Sequence, residues 1–358
     1  MSTSGPAANP APVRIQRRRS SKARTSGRAG APALLIGAAV AFALGGCGGG
    51  GSSGQAKASS PAATAPAAQA PRLPATLRVG ASTTLPAAVQ LPAVAPTSGG
   101  ALSIGGLDAS DSSVAGAILI GASGAREVAQ LPVALHDAAA AQIDGQTYLF
   151  GGGEPGGTSE SIFRVASSGV RSVGHLPVGA SDIVAATIGH TAYIPGGYTV
   201  SAPLRTIVAF APATGAHVVA TLPRPLRYAA VAAVNGRVLI AGVSSGVVAE
   251  RAILSFDPAT GTVRQIGELP YPVTHAAGAS LNGFFYVLGG RSESLSGQRS
   301  SILAVDPRSG AVRPAGHLPE ALSDMGATSL AGHILAVGGR NSAGGVYDRA
   351  LTLLPVSR

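Results

Sequence analysis

The chain of 358 residues has 50 glycines, 26 prolines, only 12% charged residues and no tryptophan, which argues against long helices and fits many short strands joined by tight turns. Its net charge of +10 resembles a nucleic-acid signature, but seven basic residues (Arg14, Arg17, Arg18, Arg19, Lys22, Arg24 and Arg28) and no acid lie within residues 1–47. No basic stripe with interleaved aromatics remains beyond them, so no nucleic-acid partner is expected.

The first elements are a leader and a tether. A basic stretch precedes the apolar run 31–44, and Leu44-Gly45-Gly46-Cys47 follows. Basic region, apolar region and small residues at a cleavage point make an export signal. The spacing resembles the bacterial lipobox, although Gly45 stands where alanine or serine is commoner. That resemblance implies acylation of Cys47, anchoring in the cell membrane and exposure on the extracytoplasmic side. The competing reading is an uncleaved anchor, since an apolar run of this length falls at the lower edge for crossing a bilayer. Cys47 is the only cysteine, so neither an intrachain disulfide nor a cysteine-built metal cluster is available. Residues 48–75 are rich in Gly, Ser, Ala and Pro without periodicity and read as a flexible, coreless linker.

From residue 76 onward the chain repeats. A Leu-Pro pair recurs at 85, 131, 176, 222, 269 and 318, and a glycine stands 20 residues after each leucine: Gly105, Gly151, Gly196, Gly242, Gly289 and Gly338. A second glycine follows in five units, and Val243 replaces it in the fourth. A constant offset within a drifting period marks a repeated structural unit. Each unit reads as four strands, a to d. In the fifth these are HAAGASL, FFYVLGG, SSILAVD and AVRPAG, with Asn282-Gly283 as the tight a–b turn and Pro307 to Gly310 as the c–d turn. The sixth unit stops after strand c, at residues 350–356. Residues 75–79, ahead of the first Leu-Pro pair, match the missing strand d, so the N-terminal strand is expected to close the last blade.

The glycine doublets, the 45–49 residue period and the D-P-x-x-G turns resemble the kelch family, although the aromatic residues that usually follow the doublet are mostly missing. The resemblance covers residues 76–358 and implies an all-β, six-bladed β-propeller of four-stranded antiparallel blades. It also implies that ligands meet the face shared by the d–a and b–c loops. Five and six residues after each repeat leucine stand Gln90/Leu91, His136/Asp137, Ser181/Asp182, Arg227/Tyr228, Thr274/His275 and Ser323/Asp324. These positions are read as the start of the innermost strand and as a polar ring at the channel mouth. The candidate ligand-binding residues are His136, Asp137, Asp182, Arg227, Tyr228, His275 and Asp324. The aspartates have an equally direct structural reading, bonding loop amides at each blade junction. Glu154, Tyr198, Glu250, Arg251, Arg291, Glu293, Arg299, Arg340, Asp348 and Arg349 in the b–c loops read as solvated surface.

Copper-radical oxidation of the kelch type needs a tyrosine cross-linked to a cysteine, and Cys47 lies outside the repeats. His136 and His275 come from separate blades without metal-ligand spacing, so neither metal nor cofactor is expected. Two functions remain. The first is an exported, membrane-anchored scaffold that binds a carbohydrate, a wall polymer or a protein. The second is a sugar-modifying enzyme of mutarotase or epimerase type, with His136 or His275 and an aspartate moving protons. Acids or histidines of shifted pKa in a deep pocket would favour the enzyme, and a charged rim the binder.

Overall fold

The computed structural model describes residues 73–356 apart from 246–247, 293 and 295–296. The leader, Cys47, the linker up to residue 72 and Glu293 lie outside the described residues. All regular elements within that range are strands, grouped into six four-stranded antiparallel sheets and two short two-stranded pairings.

Each sheet is one blade. Blade 5 runs a Ala277–Leu281, b Phe284–Leu288, c Ser301–Val305 and d Val312–His317, in the strand order of the sequence reading. Its a–b turn holds Asn282 at φ 52° and Gly283 at φ 84°. Two consecutive left-handed residues give the turn twist that matches the flanking strands, and Asn and Gly tolerate it best. Strand a of each blade packs on strand a of the next, and that of blade 6 packs on that of blade 1, so the six sheets close into a ring. The middle strands are buried on both faces because each is sandwiched between neighbours. Accordingly the described residues form six apolar cores, one per blade junction; that between blades 5 and 6 holds Tyr286, Leu288, Ile302, Ile334 and Leu351.

The ring closes as expected. Leu77–Thr84 is strand d of blade 6 and pairs antiparallel with Arg349–Pro355, Leu77 opposite Pro355 and Val79 opposite Leu353. It is longer than residues 75–79 and carries an irregularity between Val79 and Ser82. Leu77 is buried between blades 5 and 6, and the Tyr286 hydroxyl donates to the Ala75 carbonyl at 3.0 Å. Closure therefore buries apolar surface and leaves strand c of blade 6 without a free edge.

The glycine doublets mark a close approach of backbones. Gly338 has φ 64°, and a Cβ there would overlap the carbonyl oxygen of Val89 in blade 1. Both the dihedral and the contact exclude a side chain. In blade 4 the second doublet position, Val243, lies outside the left-handed region and its side chain joins the core between blades 3 and 4, which is why valine is tolerated there.

Candidate functional site

The second residue of each mouth pair does not begin strand a. It occupies a left-handed kink just before it. Leu91, Asp137, Asp182, Tyr228, His275 and Asp324 have φ of 55°, 52°, 56°, 55°, 56° and 59°. Asp and His enter this region more easily than most residues, whereas Leu and Tyr pay a steric cost there of about 1 kcal/mol.

The kinks serve a backbone ring around the axis. The amide of Leu91 donates to the Asp324 carbonyl (2.7 Å), Asp137 to Leu91 (3.2 Å), Tyr228 to Asp182 (3.3 Å), His275 to Tyr228 (3.3 Å) and Asp324 to His275 (3.0 Å); between blades 2 and 3 the donor is Ile183, to the Asp137 carbonyl at 3.4 Å. Several of these bonds are long and individually weak, but they link every blade to the next. The expectation that aspartate side chains bond the junction amides is thus corrected: main-chain groups make the junction, and the side chains turn elsewhere.

Those side chains line one end of the channel. Asp137, Asp182, Tyr228, His275 and Asp324 surround a cavity of about 70 Å³ with Leu91 and small residues such as Ala93, Ala229 and Gly278. The other end of the channel widens to about 550 Å³ among Ala140, Ala232, Thr187, Ser280 and Ser329.

Two arginines reach into the mouth. Arg227 pairs with Asp182, whose side chain is 3% exposed, donates to the Tyr228 hydroxyl at 2.7 Å, and lies 3.9 Å from the centroid of the Tyr198 ring. Tyr228 stacks on His275 with centroids 3.6 Å apart. Arg291 meets His275 Nε2 at 2.9 Å, and its Nε sits 3.9 Å from Asp324. Asp324 also accepts from the Ser323 hydroxyl. Asp182 and Asp324 are close enough for both of their charges to act on Asp137.

The protonation states follow from this packing. Burial raises Asp137 well above the usual carboxylate range, and the Asp182 and Asp324 charges add to the rise against the pull of Arg227. Burial lifts Asp182 to about 6, with Arg227 opposing. It also raises Asp324, against Ser323 and Arg291. His275 falls well below its ordinary value through burial, then through Arg291 and Arg227, and Tyr228 rises. The mouth thus holds an imidazole, His275, shifted toward its neutral form and a carboxyl, Asp137, shifted toward its protonated form beside the Arg227–Asp182 pair.

His136 stands apart from this cluster. Its Nδ1 lies 2.8 Å from the Ser113 hydroxyl, burial lowers its pKa, and its ring covers Gly153, where a Cβ would come within 2.5 Å of it. Of the loop residues read as solvated surface, Tyr198 and Arg291 fold into the mouth instead. Each is the first residue after a glycine doublet and bridges back to the mouth pair, Tyr198 to Ser181 and Arg291 to Thr274. Arg340 takes the same place in blade 6, pairing with Ser323, but its side chain is 36% exposed and bonds Asp111 at 3.1 Å. Among the described residues no cluster of three or more His, Cys, Asp or Glu has the arrangement of a metal site. No protein-family model matches the sequence, and a search of curated proteins finds no match.

Proposed function

We propose that this protein is an exported scaffold of kelch type, held at the cell membrane by lipid on Cys47, which binds a carbohydrate, a wall polymer or a protein over the channel mouth. The observation that carries the reading is the fit between buried groups and available space. The ionisable side chains at the mouth are paired with one another, and the cavity below them is about 70 Å³, room for a few waters. Pockets that enclose small organic ligands run to roughly 300–1,000 Å³. A ligand therefore has to lie across the rim, where Arg340, Asp111 and His136 stand, with Arg227 and Arg291 behind them.

The second reading, a mutarotase- or epimerase-like enzyme, draws on His275, whose pKa burial lowers, and Asp137, whose pKa burial raises, a base and an acid at one site. It requires the mouth to open around a sugar ring.

The test is a panel of glycans, wall polymers and cell-surface proteins presented to the propeller, residues 73–358, in wild-type form and as Arg340→Ala, His136→Ala and Arg227→Ala. The binding reading expects a ligand whose affinity falls about tenfold or more in the Arg340→Ala variant. Binding indifferent to all three substitutions would move the site off the mouth. Turnover of an aldose anomer, abolished by His275→Ala, would establish the enzyme instead.

A further inference from the structure

A second site lies far from the mouth, on the outer side of the junction between blades 4 and 5. There the apolar junction core gives way to a cleft of about 530 Å³ lined by Arg237, Ser255, Asp257, Thr262, Arg264 and Arg308. Strand pairing explains how the residues of blade 4 converge. Ser255 on strand c faces Arg264 on strand d, and Asp257 faces Thr262, so these four share the side of the sheet that looks toward blade 5. Arg308 comes from the c–d turn of blade 5. A close contact of main chains brings it in: a Cβ on Gly310 would overlap the carbonyl of Ile266, and one on Gly267 would run into Gly310. Glycine at both positions lets the blades touch two and three residues away from Arg308 and Arg264.

The result is an imbalance of charge. Arg237 bonds Asp257 at 3.0 Å, and among the described residues no other acid lines the cleft, so three arginines face one aspartate and the lining carries a net +2. Holding like charges on two blades in a common cleft costs energy unless an anion sits between them. At the cleft wall, Ser255 is 4% exposed, and its hydroxyl has no hydrogen-bond partner. A buried hydroxyl normally finds a partner; this one lies just behind the cleft wall with almost no exposed surface, and a rotation about its χ1 toward the cleft would bring it to a ligand oxygen.

We propose that this cleft binds a phosphate group, with Arg264 and Arg308 supplying the charge and Ser255 a hydroxyl donor. Guanidinium forks match phosphate oxygens two at a time. The cleft is larger than the phosphate alone, which leaves space for the chain to which the group is attached.

The test is calorimetric titration of the full-length protein, at fixed ionic strength, with inorganic phosphate and with poly(glycerol phosphate) at matched phosphate concentration. Either probe should bind, and binding should weaken roughly tenfold on Arg264→Ala or Arg308→Ala. Both residues are exposed, so the variants keep the fold, and the melting temperature checks this. Ser255→Ala should weaken binding without lowering the melting temperature; a merely structural serine would leave binding unchanged. Polymer binding tighter than that of free phosphate identifies a phosphodiester chain as the source, and equal binding identifies an isolated phosphate group; both support the site. Absence of binding by both probes, or binding indifferent to all three substitutions, overturns it.

Discussion

Replacing Arg227 with alanine is the most revealing single perturbation of the mouth. It removes the cation from a pair whose carboxylate is 3% exposed and whose guanidinium is 18% exposed, together with the bond to Tyr228 and the packing on Tyr198. Breaking a buried pair from one side costs about 3–5 kcal/mol. The loss should depend on pH in a definite direction. In the wild type Asp182 titrates at about 6 in the folded state and near 3.9 when unfolded. That elevation costs the fold roughly 3 kcal/mol, incurred as pH rises from 4 to 6 and constant above. Without Arg227, whose charge lowers the Asp182 pKa, the folded-state value rises further. Above pH 6 the variant then keeps a proton that its unfolded chain releases, and its stability continues to fall by about 1.4 kcal/mol per pH unit while the wild-type Asp182 contribution stays flat. Urea unfolding of both proteins between pH 5 and 8 should show a difference that widens with pH, and carbon NMR of the Asp182 carboxyl should show a higher midpoint in the variant. A difference independent of pH, or an unmoved midpoint, would refute the reasoning.

The remaining predictions concern the frame and the anchor. Leu77→Ala, at a position 2% exposed in the core of the last junction, should cost roughly 2–5 kcal/mol in urea unfolding; a cost near zero would mean that the N-terminal strand is not docked. Gly338→Ala combines a left-handed φ of 64° with a Cβ overlapping Val89, so the melting temperature should fall well beyond the effect of the dihedral alone, about 1 kcal/mol; Gly332→Ala, in open space at φ 79°, supplies that reference. Cys47→Ser should transfer the exported protein from the detergent phase to the aqueous phase in phase partitioning and remove a lipid mass from its N-terminal peptide. Unchanged partitioning would favour the uncleaved anchor.

Much of the frame was legible because it depends on residues that stand out in the sequence. The glycines 20 residues past each repeat leucine are required by backbone proximity at one point in every blade, and Asn-Gly and Asp-Gly turns impose the hairpins. Strand d of the last blade was legible at the N-terminus, since Leu77 and Val79 alternate toward the core as a closing strand must. The mouth was legible in position and not in detail. Leu91, Asp137, Asp182, Tyr228, His275 and Asp324 share only a left-handed main chain, and nothing in their side-chain chemistry advertises that. Tyr198 and Arg291 were read as surface because they follow the doublets in loops; only the bridges to Ser181 and Thr274 turn them inward. Ser255 was invisible for a similar reason, since a serine inside an apolar strand shows a missing partner only once its neighbours are in place.

The closed six-bladed ring underlies every site described, and its closure can be read with one cross-link. Thr84 and Arg349 stand opposite each other where the N-terminal strand meets the last one, 265 residues apart in the chain. With Cys47→Ser in place, the double substitution Thr84→Cys and Arg349→Cys should oxidise almost completely to an intramolecular disulfide in a monomer, with native melting behaviour. Thiols that stay free, or pair only between molecules, would contradict a ring closed by its own N-terminus.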